Sequence, residues 1–496
     1  MEGGAVSSTN WSLFALVLHL IVALVASVLI AANRRPTSAI AWILAITFLP
    51  VIGAVVFLFI GVGKLPHHRR VRQMEVSELI LSNSETIAQR VSPQSPDWLA
   101  SAVRLNLNLG ALPMVTGSSA QLIEDYEGSF AAMAADIDAA TEYVRVEFYL
   151  LVLDDTTKPV FDALTRAHQR GVKVHVLFDY LTCHNYPRQR QTQQALAKMG
   201  VQWRPMLPLR PWLGQWQRPD MRNHRKVVIV DGRVGYCGSQ NLIDSSYLRR
   251  KNRRRGLHWT ELMIRLEGPA VAELDAVFVT DWFSETDELL PVDLRSWPEP
   301  SPAAVGAADE AAIPVDVQVV PSGPTFDNDN NLKLFVLMMQ NARQRISVTS
   351  PYFVPDDSTL TALVTAASRG VEVELFVSAI GDQSLVHHAQ RSYYEELLRA
   401  GVAVYLYRAP TVLHSKHFTI DDEVAVVGTS NMDIRSFSLN MEVSVLLRGR
   451  EFNAELRKVE DHYRANSVRL GLDEWLRRPL RDKVLDNLAR LTSALM

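Results

Sequence analysis

The chain opens on two uncharged stretches. Residues 11–33 carry no charged side chain, and an apolar run of about 20 residues can cross a hydrocarbon core of about 30 Å as a helix. Arg34-Arg35-Pro36 interrupts it, and a second uncharged stretch, residues 37–63, is broken near its middle by Pro50 and Gly53. The pattern predicts one span followed by a second span or a re-entrant hairpin. Lys64, Arg69, Arg70 and Arg72 come next, and basic residues flanking membrane segments stay cytoplasmic. The expectation is a multi-pass anchor in the cell inner (plasma) membrane with the bulk of the chain in the cytoplasm. The same rule favours the hairpin, because turning back at Pro50 also leaves Arg34 and Arg35 inside. Only Glu2 is charged before Trp11, so the basic start of a cleavable signal peptide is missing.

Beyond about Gln73 the pattern changes to short apolar strands alternating with amphipathic helical stretches, which predicts α/β architecture with a largely parallel sheet. The order occurs twice. Arg145-Val-Glu-Phe-Tyr reads as a strand, 159–169 as a helix and 170–178 as the next strand; about 200 residues later Arg345-Ile-Ser-Val, 358–368 and 369–376 repeat it. Gly200-Val201 and Gly401-Val402 sit in matching places. This is a tandem duplication of a whole domain, not a solenoid. Residues 291–314 are rich in Pro and Ala without periodicity and read as a linker. The expected organisation is therefore an anchor over 1–72, a first α/β domain with its linker over 73–310, and a second over 311–496. A helical stripe of Val484, Leu488, Leu491 and Leu495 closes the chain and is expected to pack on the second domain.

Composition narrows the class. The chain has 496 residues, 48% hydrophobic and 21% charged, which suits a folded core and excludes disorder. A net charge of -3 gives no global reason to expect nucleic acid, so any anion site must be local. Two cysteines, Cys183 and Cys237, cannot build a disulfide framework or a four-ligand zinc site.

The chemistry lies in a repeated string. Asn223-His224-Arg225-Lys226 continues to Asp231-Gly232, and Leu413-His414-Ser415-Lys416 continues to Asp421-Asp422; each is His-x-Lys-x4-Asp. Gly238-Ser239-Gln240-Asn241 and Gly428-Thr429-Ser430-Asn431 follow, with Asn 17 positions after His in both copies. His and Lys two apart on a strand share a face, whereas Asp seven after His has the opposite parity and falls where a turn begins. Asp231 and Asp421 enter the candidate catalytic set with the motif, though their position suits a turn or a salt bridge better.

These paired motifs resemble those of the phospholipase D superfamily, and the chain resembles the bacterial cardiolipin synthases over nearly its whole length. The resemblance is carried by Arg34-Arg35-Pro36 with Ala41-Trp42-Ile43-Leu44, by Arg222-Asn223-His224-Arg225-Lys226, and by Ser350-Pro351-Tyr352-Phe353. Most specific is Asn431-Met-Asp433-Ile-Arg435-Ser436-Phe437-Ser-Leu-Asn440-Met-Glu442. It implies two α/β domains of phospholipase D type in a pseudo-twofold sandwich, with one active site between the copies. One of His224 and His414 attacks a phosphodiester and the other serves as acid and base, with His224 favoured slightly as nucleophile. Lys226, Lys416, Asn241 and Asn431 hold phosphoryl oxygens, and no metal or cofactor is implied. In the family an acidic residue downstream orients each histidine; Glu442 lies 28 positions after His414, and Glu261 in Trp259-Thr260-Glu261 lies 37 after His224. Ser239 and Thr429 are candidates for assistance in the site or for turns.

The implied reaction is phosphatidyl transfer between two phosphatidylglycerol molecules, giving cardiolipin and glycerol. The same residues would serve a phospholipase D-type hydrolase, and a non-catalytic scaffold for anionic lipid is a third class. Expected partners are phosphatidylglycerol and other anionic phospholipids at a membrane, with no nucleic acid; oligomeric state and the use of phosphatidylethanolamine as donor stay open. Arg249-Arg250-Lys251-Asn252-Arg253-Arg254-Arg255 has six basic residues in seven, and residues 203–222 interleave Trp203, Trp212 and Trp216 with Pro and Arg; both suit a lipid surface or ordinary solvated loops. The pairs His67-His68 and His387-His388 read as flank and helix residues rather than metal ligands.

Overall fold

The computed structural model describes residues 5–33, 36–61, 69, 71–72, 75, 95–110, 112–213, 215–292, 312–326 and 329–492. It divides into two compact units, residues 1–64 with 218–220, and 65–217 with 221–496. Arg34, Arg35, Lys64, Arg70, the His67-His68 pair, Leu495 and most of the linker lie outside the described residues.

In the first unit α1 (Ala5–Asn33), α2 (Pro36–Phe48) and α3 (Pro50–Ile60) follow one another. Pro50 occupies the first turn of α3, where its missing N–H costs nothing. The chain reverses there: the rings of Trp42 and Phe57 lie 5.2 Å apart, which a straight helix would forbid. Ile30 of α1 is buried with Ala39 and Ile46 of α2. The second apolar stretch is thus a helical hairpin. Among the described residues no helix is long and apolar enough to cross a membrane.

The second unit is built on one 15-stranded sheet and two two-stranded sheets. Its first half contributes β1 (Val115–Ile123), β2 (Tyr143–Phe148), β3 (Lys173–Asp179), β4 (Gln202–Met206), β5 (Lys226–Val230), β6 (Val234–Gly238), β7 (His258–Thr260) and β8 (Met263–Glu267). The second contributes β9 (Ile313–Ser322), β10 (Arg345–Thr349), β11 (Phe353–Val354), β12 (Glu372–Ser378), β13 (Ala403–Tyr407), β14 (Thr411–Leu413), β15 (His417–Ile420), β16 (Val424–Gly428), β17 (Met432–Asp433), β18 (Glu442–Arg448) and β19 (Ser467–Arg469). The order in the large sheet is β19-β13-β12-β10-β15-β16-β18-β9-β1-β8-β6-β5-β2-β3-β4, which reads alike outward from the central β9–β1 pair; β11 pairs with β17 and β14 with β7 in the two-stranded sheets. The duplication is therefore joined edge to edge into a continuous sheet. The expected largely parallel sheet is corrected: β2–β3–β4 and β10–β12–β13 are parallel, but everything between them is antiparallel. The reason is that helical crossovers join only the outer strands, whereas β5–β6 and β15–β16 are hairpins.

Strands buried on both faces lose the polar alternation that marks a one-sided sheet. In β5, Val227 and Ile229 enter one core while Val228 and Val230 enter another. The shared core is covered by the helices Ala270–Thr286 and Arg450–Ala465, whose Trp282 and Tyr463 are fully buried. On the opposite face, helices Tyr126–Ala139 and Lys158–Gln169 cover the first copy, and Asn330–Asn341 and Asp357–Ser368 the second. Asp356 starts the last of these by accepting from the backbone N–H groups of Ser358 and Thr359.

One carboxylate within this core is a liability. Glu273 is buried under β9 and accepts only from the Val319 N–H, at 3.1 Å, among the described residues; its other oxygen has no partner. Burial raises its pKa well above the ordinary 4.5. A carboxyl that is harder to ionise folded than unfolded makes stability fall as pH rises above the unfolded value. Glu273→Gln is expected to raise the melting temperature at pH 8 and to give little gain at pH 4, measured by calorimetry.

Candidate active site

Each histidine is delivered by a segment that pairs with the other copy. Asn223 bridges Met441 in parallel, and the His224 N–H donates to the Met441 carbonyl at 2.8 Å. In the other half β14 runs parallel to β7, and the His414 N–H donates to the Thr260 carbonyl at 2.8 Å. Met441 precedes Glu442 and Thr260 precedes Glu261, so the backbone pairing carries each glutamate to the histidine of the opposite repeat. His224 Nδ1 lies 2.9 Å from Glu442 Oε2, and His414 Nδ1 lies 2.7 Å from Glu261 Oε1. The expectation that each copy's acid serves its own histidine is corrected: the pairs are crossed. The Thr429 carbonyl, 3.1 Å from His224 Nδ1, can only accept, which puts the proton on Nδ1 and leaves Nε2 with its lone pair.

The two lysines occupy matching places. Lys226 Nζ donates to the His224 carbonyl and Lys416 Nζ to the His414 carbonyl, each at 2.6 Å. Both are buried, and burial lowers Lys226 to about 7 and Lys416 to about 8. Two ammonium groups taken from water beside two imidazoles form a strong local anion site on a chain of nearly neutral net charge.

The acids break the symmetry. Glu442 accepts from Thr429 Oγ1 at 2.5 Å, yet burial raises its pKa to about 7. Glu261 accepts from the Tyr247 hydroxyl at 2.9 Å, and that hydroxyl accepts from Asn241 Nδ2 at 2.9 Å. Burial pushes Glu261 up, but the charges of His414 and Lys416 outweigh it and hold Glu261 below its ordinary range. The histidines follow: burial and both lysines drive the His224 pKa well below its usual value, and burial lowers that of His414 too, against the opposing charge of Glu261.

Asn241 and Asn431 differ in the same way. Asn241 accepts from the Leu150 N–H at 3.1 Å and serves Tyr247, while Asn431 Oδ1 has no partner among the described residues. Ser239 and Thr429 each accept from the N–H that follows the glutamate, Leu262 and Val443, and so fix the acid-bearing strands. Tyr149 and Tyr247 carried no mark in the motif pattern, and Tyr352 stood in the Ser350-Pro351-Tyr352-Phe353 string with no role of its own. Tyr149 stands edge-on to His224 at 4.8 Å, and Tyr247 and Tyr352 stand edge-on to His414 at 6.1 Å. Among the described residues no group of three His, Cys, Asp or Glu is arranged to hold a metal. His388 bonds Asp486 at 2.8 Å.

Asp231 and Asp421 do not join this cluster, which corrects their place in the candidate catalytic set. Each lies beyond the far end of its strand with φ of 50° and 52°, a left-handed turn position that Asp tolerates. Asp231 accepts from the N–H groups of Thr141, Glu142 and Tyr143, and Asp421 from those of Arg343, Gln344 and Arg345. They tie the hairpins β5–β6 and β15–β16 to the starts of β2 and β10.

The family described as "Cardiolipin synthase, PLD-like domain" matches residues 133–282 and 335–463. The chain belongs to this family. A second family, "Phospholipase_D-nuclease N-terminal", matches residues 20–61. Cardiolipin synthase A of Proteus mirabilis is 31% identical over 474 residues, covering 94% of both chains. Cardiolipin synthase of Geobacillus kaustophilus is 31% identical over 491 residues, covering 98% of this chain and 94% of that one. Among solved structures, phosphatidylserine synthase of Haemophilus influenzae shares the fold, with a TM-score of 0.59 at 14% identity, covering 79% of this chain and 99% of that one.

Two expected outcomes follow from the geometry. Asp231→Ala and Asp421→Ala each strand backbone N–H groups and should cost about 1–3 kcal/mol in denaturant titration, with kcat/KM per folded enzyme retained. Backbone N–H groups hold the Asp231 pKa below its usual 3.8 against burial, so its contribution is present above that value and is lost as pH falls below it. Crossed pairing also means that Glu442→Gln should shift the ring ¹⁵N resonances of His224 rather than those of His414, and Glu261→Gln the reverse.

Proposed function

We propose that the chain is a membrane-bound phosphatidyltransferase that joins two phosphatidylglycerol molecules into cardiolipin and releases glycerol. The observation that carries the reading is the crossed pair of His–Glu dyads between two buried lysines, within a chain of this family. The donor phosphodiester binds at Lys226 and Lys416, with the amides of Asn241 and Asn431 at its oxygens. Nε2 of His224 attacks phosphorus, the bond to the glycerol oxygen breaks, and His414 protonates the departing alkoxide. His414 then takes the proton of the acceptor's primary hydroxyl, which attacks phosphorus as the bond to His224 breaks. A nucleophile must be neutral and an acid protonated. The environment of His224, which disfavours its charge, and the ionised Glu261 beside His414 support this division of roles.

In this reading residues 73–310 and 311–496 are two halves of one catalytic body, and residues 1–72 are the anchor. The anchor is supported by the uncharged run 11–33 and by the exposed Leu13, Phe14, Leu24, Val51 and Ile52. The catalytic body works on the cytoplasmic side. Its lipid-facing features are Trp212, 77% exposed, with Leu213 beside it, and the basic helix Arg250–Arg254. Arg210 stacks on Tyr180 and Arg249 on Tyr186, so one short segment holds both. Anionic lipid attracts such a cluster at about 1 kcal/mol per basic residue.

Incubation with phosphatidylglycerol in detergent micelles, read by lipid mass spectrometry, should give cardiolipin and glycerol. His224→Ala or His414→Ala should lower the yield by at least about 10³-fold. Phosphatidic acid without cardiolipin would overturn the transferase in favour of a hydrolase. The lysines predict the pH profile. Lowered pKa values mean that charge is lost as pH rises, so kcat/KM should decline through about 7 to 8. The bound phosphodiester holds both protons in place, so kcat should persist to higher pH.

A further inference from the structure

A cleft on the second copy has no part in the reaction above. It is walled by Tyr352, Asp382, Gln383, His387 and Gln390, and by Val412, two residues before His414. Tyr352 connects it to the chemistry. Its ring stands edge-on to His414 at 6.1 Å, and its hydroxyl lies 3.0 Å from both oxygens of Asp382 while accepting from Gln383 Nε2 at 3.2 Å. Among the described residues that hydroxyl is the only hydrogen-bond donor to Asp382, which has no basic partner. An ionised carboxylate accepts about four hydrogen bonds, so lone pairs remain for a ligand. Asp382 is near enough for its charge to favour protonation of both His414 and Lys416.

A carboxylate at this position repels phosphate. The phosphodiester is therefore confined to the lysines, and what Asp382 can receive is a hydroxyl. By the mechanism above, the alcohol oxygen passes His414 twice, first as departing glycerol and then as the glycerol terminus of the acceptor. Both carry a second hydroxyl on the carbon next to the reacting one. We propose that this cleft is the polyol subsite, in which Asp382 accepts a hydrogen bond from that neighbouring hydroxyl. Asp382 is then a specificity residue, Tyr352 a positioning residue that holds it, and His387 a wall kept neutral by burial and by the charges of Arg391 and His388. The inference rests on the phosphatidyl-transfer reading and names the feature of the headgroup that the site selects.

The test compares phosphatidylglycerol with phosphatidyl-1-propanol, which lacks the second and third hydroxyls, in mixed micelles with the full-length enzyme. Headgroup release and transfer to glycerol or 1-propanol are both followed. Asp382→Asn should lower the ratio of kcat/KM for phosphatidylglycerol to that for phosphatidyl-1-propanol about ten-fold, the loss expected for one charge-assisted hydrogen bond, whatever fall common to both donors follows from losing its charge near His414 and Lys416. Asp382→Glu, which keeps the acceptor, should retain most of the preference, and Tyr352→Phe should lose part of it. An equal fall on both donors would mean a merely structural role and overturn the subsite, as would an unchanged preference. Phosphatidylethanolamine turned over faster than phosphatidylglycerol, with the same dependence on Asp382, would reassign the cleft to a cationic headgroup and overturn it too. Wild-type enzyme that releases headgroup but forms neither cardiolipin nor a product of transfer to either alcohol would overturn the underlying transferase reading, an outcome visible before any variant is compared.

Discussion

Everything in the catalytic body answers to one constraint: two lysines, two histidines and two glutamates are buried together, and none can be left alone. An isolated charge in a dry interior costs several kcal/mol unless it is paired or neutralised. The body meets this by exchange between the repeats. Glu442 of the second copy supports His224 of the first, and Glu261 of the first supports His414 of the second. Neither repeat holds a complete dyad. The exchange is possible because the peptide groups cross first, with Asn223 bridging Met441 and β14 lying against β7. The continuous sheet through β9 and β1 sets the two repeats at the spacing those bridges need.

The same constraint explains why a duplicated site is not electrically symmetric. Glu442 accepts from the Thr429 hydroxyl and, at 3.4 Å, from Asn440 Nδ2. Glu261 is reached by a tyrosine hydroxyl that is itself held by Asn241. Tyr247 sits in the extra length that separates His224 from Glu261 by 37 positions, where the second copy has 28. The insertion thus supplies a hydrogen-bonded chain that the other half lacks. Two equivalent histidines would compete for the same protonation state. Acid–base exchange needs environments that push the two apart, and the unequal acids provide that.

Much of this was legible in the chain, and the limits of legibility are physical. The repeat, the apolar hairpin broken at Pro50, the paired His-x-Lys strings and the two glutamates all depend on local spacing, which a sequence displays. The parity that set Asp231 and Asp421 apart from the histidines also displays it, and the structure places both at turns bonded to backbone. Strand direction was misjudged because a strand buried on both faces, such as β5, reads the same whether its neighbour is parallel or antiparallel. The exchange of glutamates was hidden for another reason. Distance along the chain carries no information about which repeat a residue will face once the two halves interdigitate. Tyr149 and Tyr247 were missed, and Tyr352 was given no role within its string, because an aromatic residue near a core strand is the commonest of signals and the least specific.

The division between floor and rim follows from the duplication. The elements that repeat are the histidines, lysines, glutamates and the hydroxyl residues Ser239 and Thr429, and the paired backbones of the two copies fix them. The elements that do not repeat are Trp212 and Leu213, the basic helix Arg250–Arg254, and Asp382 with Tyr352. A phosphodiester centre looks the same from either repeat, so a pseudo-twofold floor suits it. A lipid does not look the same from its two ends, one being a bilayer and the other a hydrated alcohol. Selection among phosphodiesters must therefore come from the parts where the symmetry fails. A floor fixed by the sheet suits the precise placement that displacement at phosphorus needs, whereas the rim is free to diverge without disturbing it.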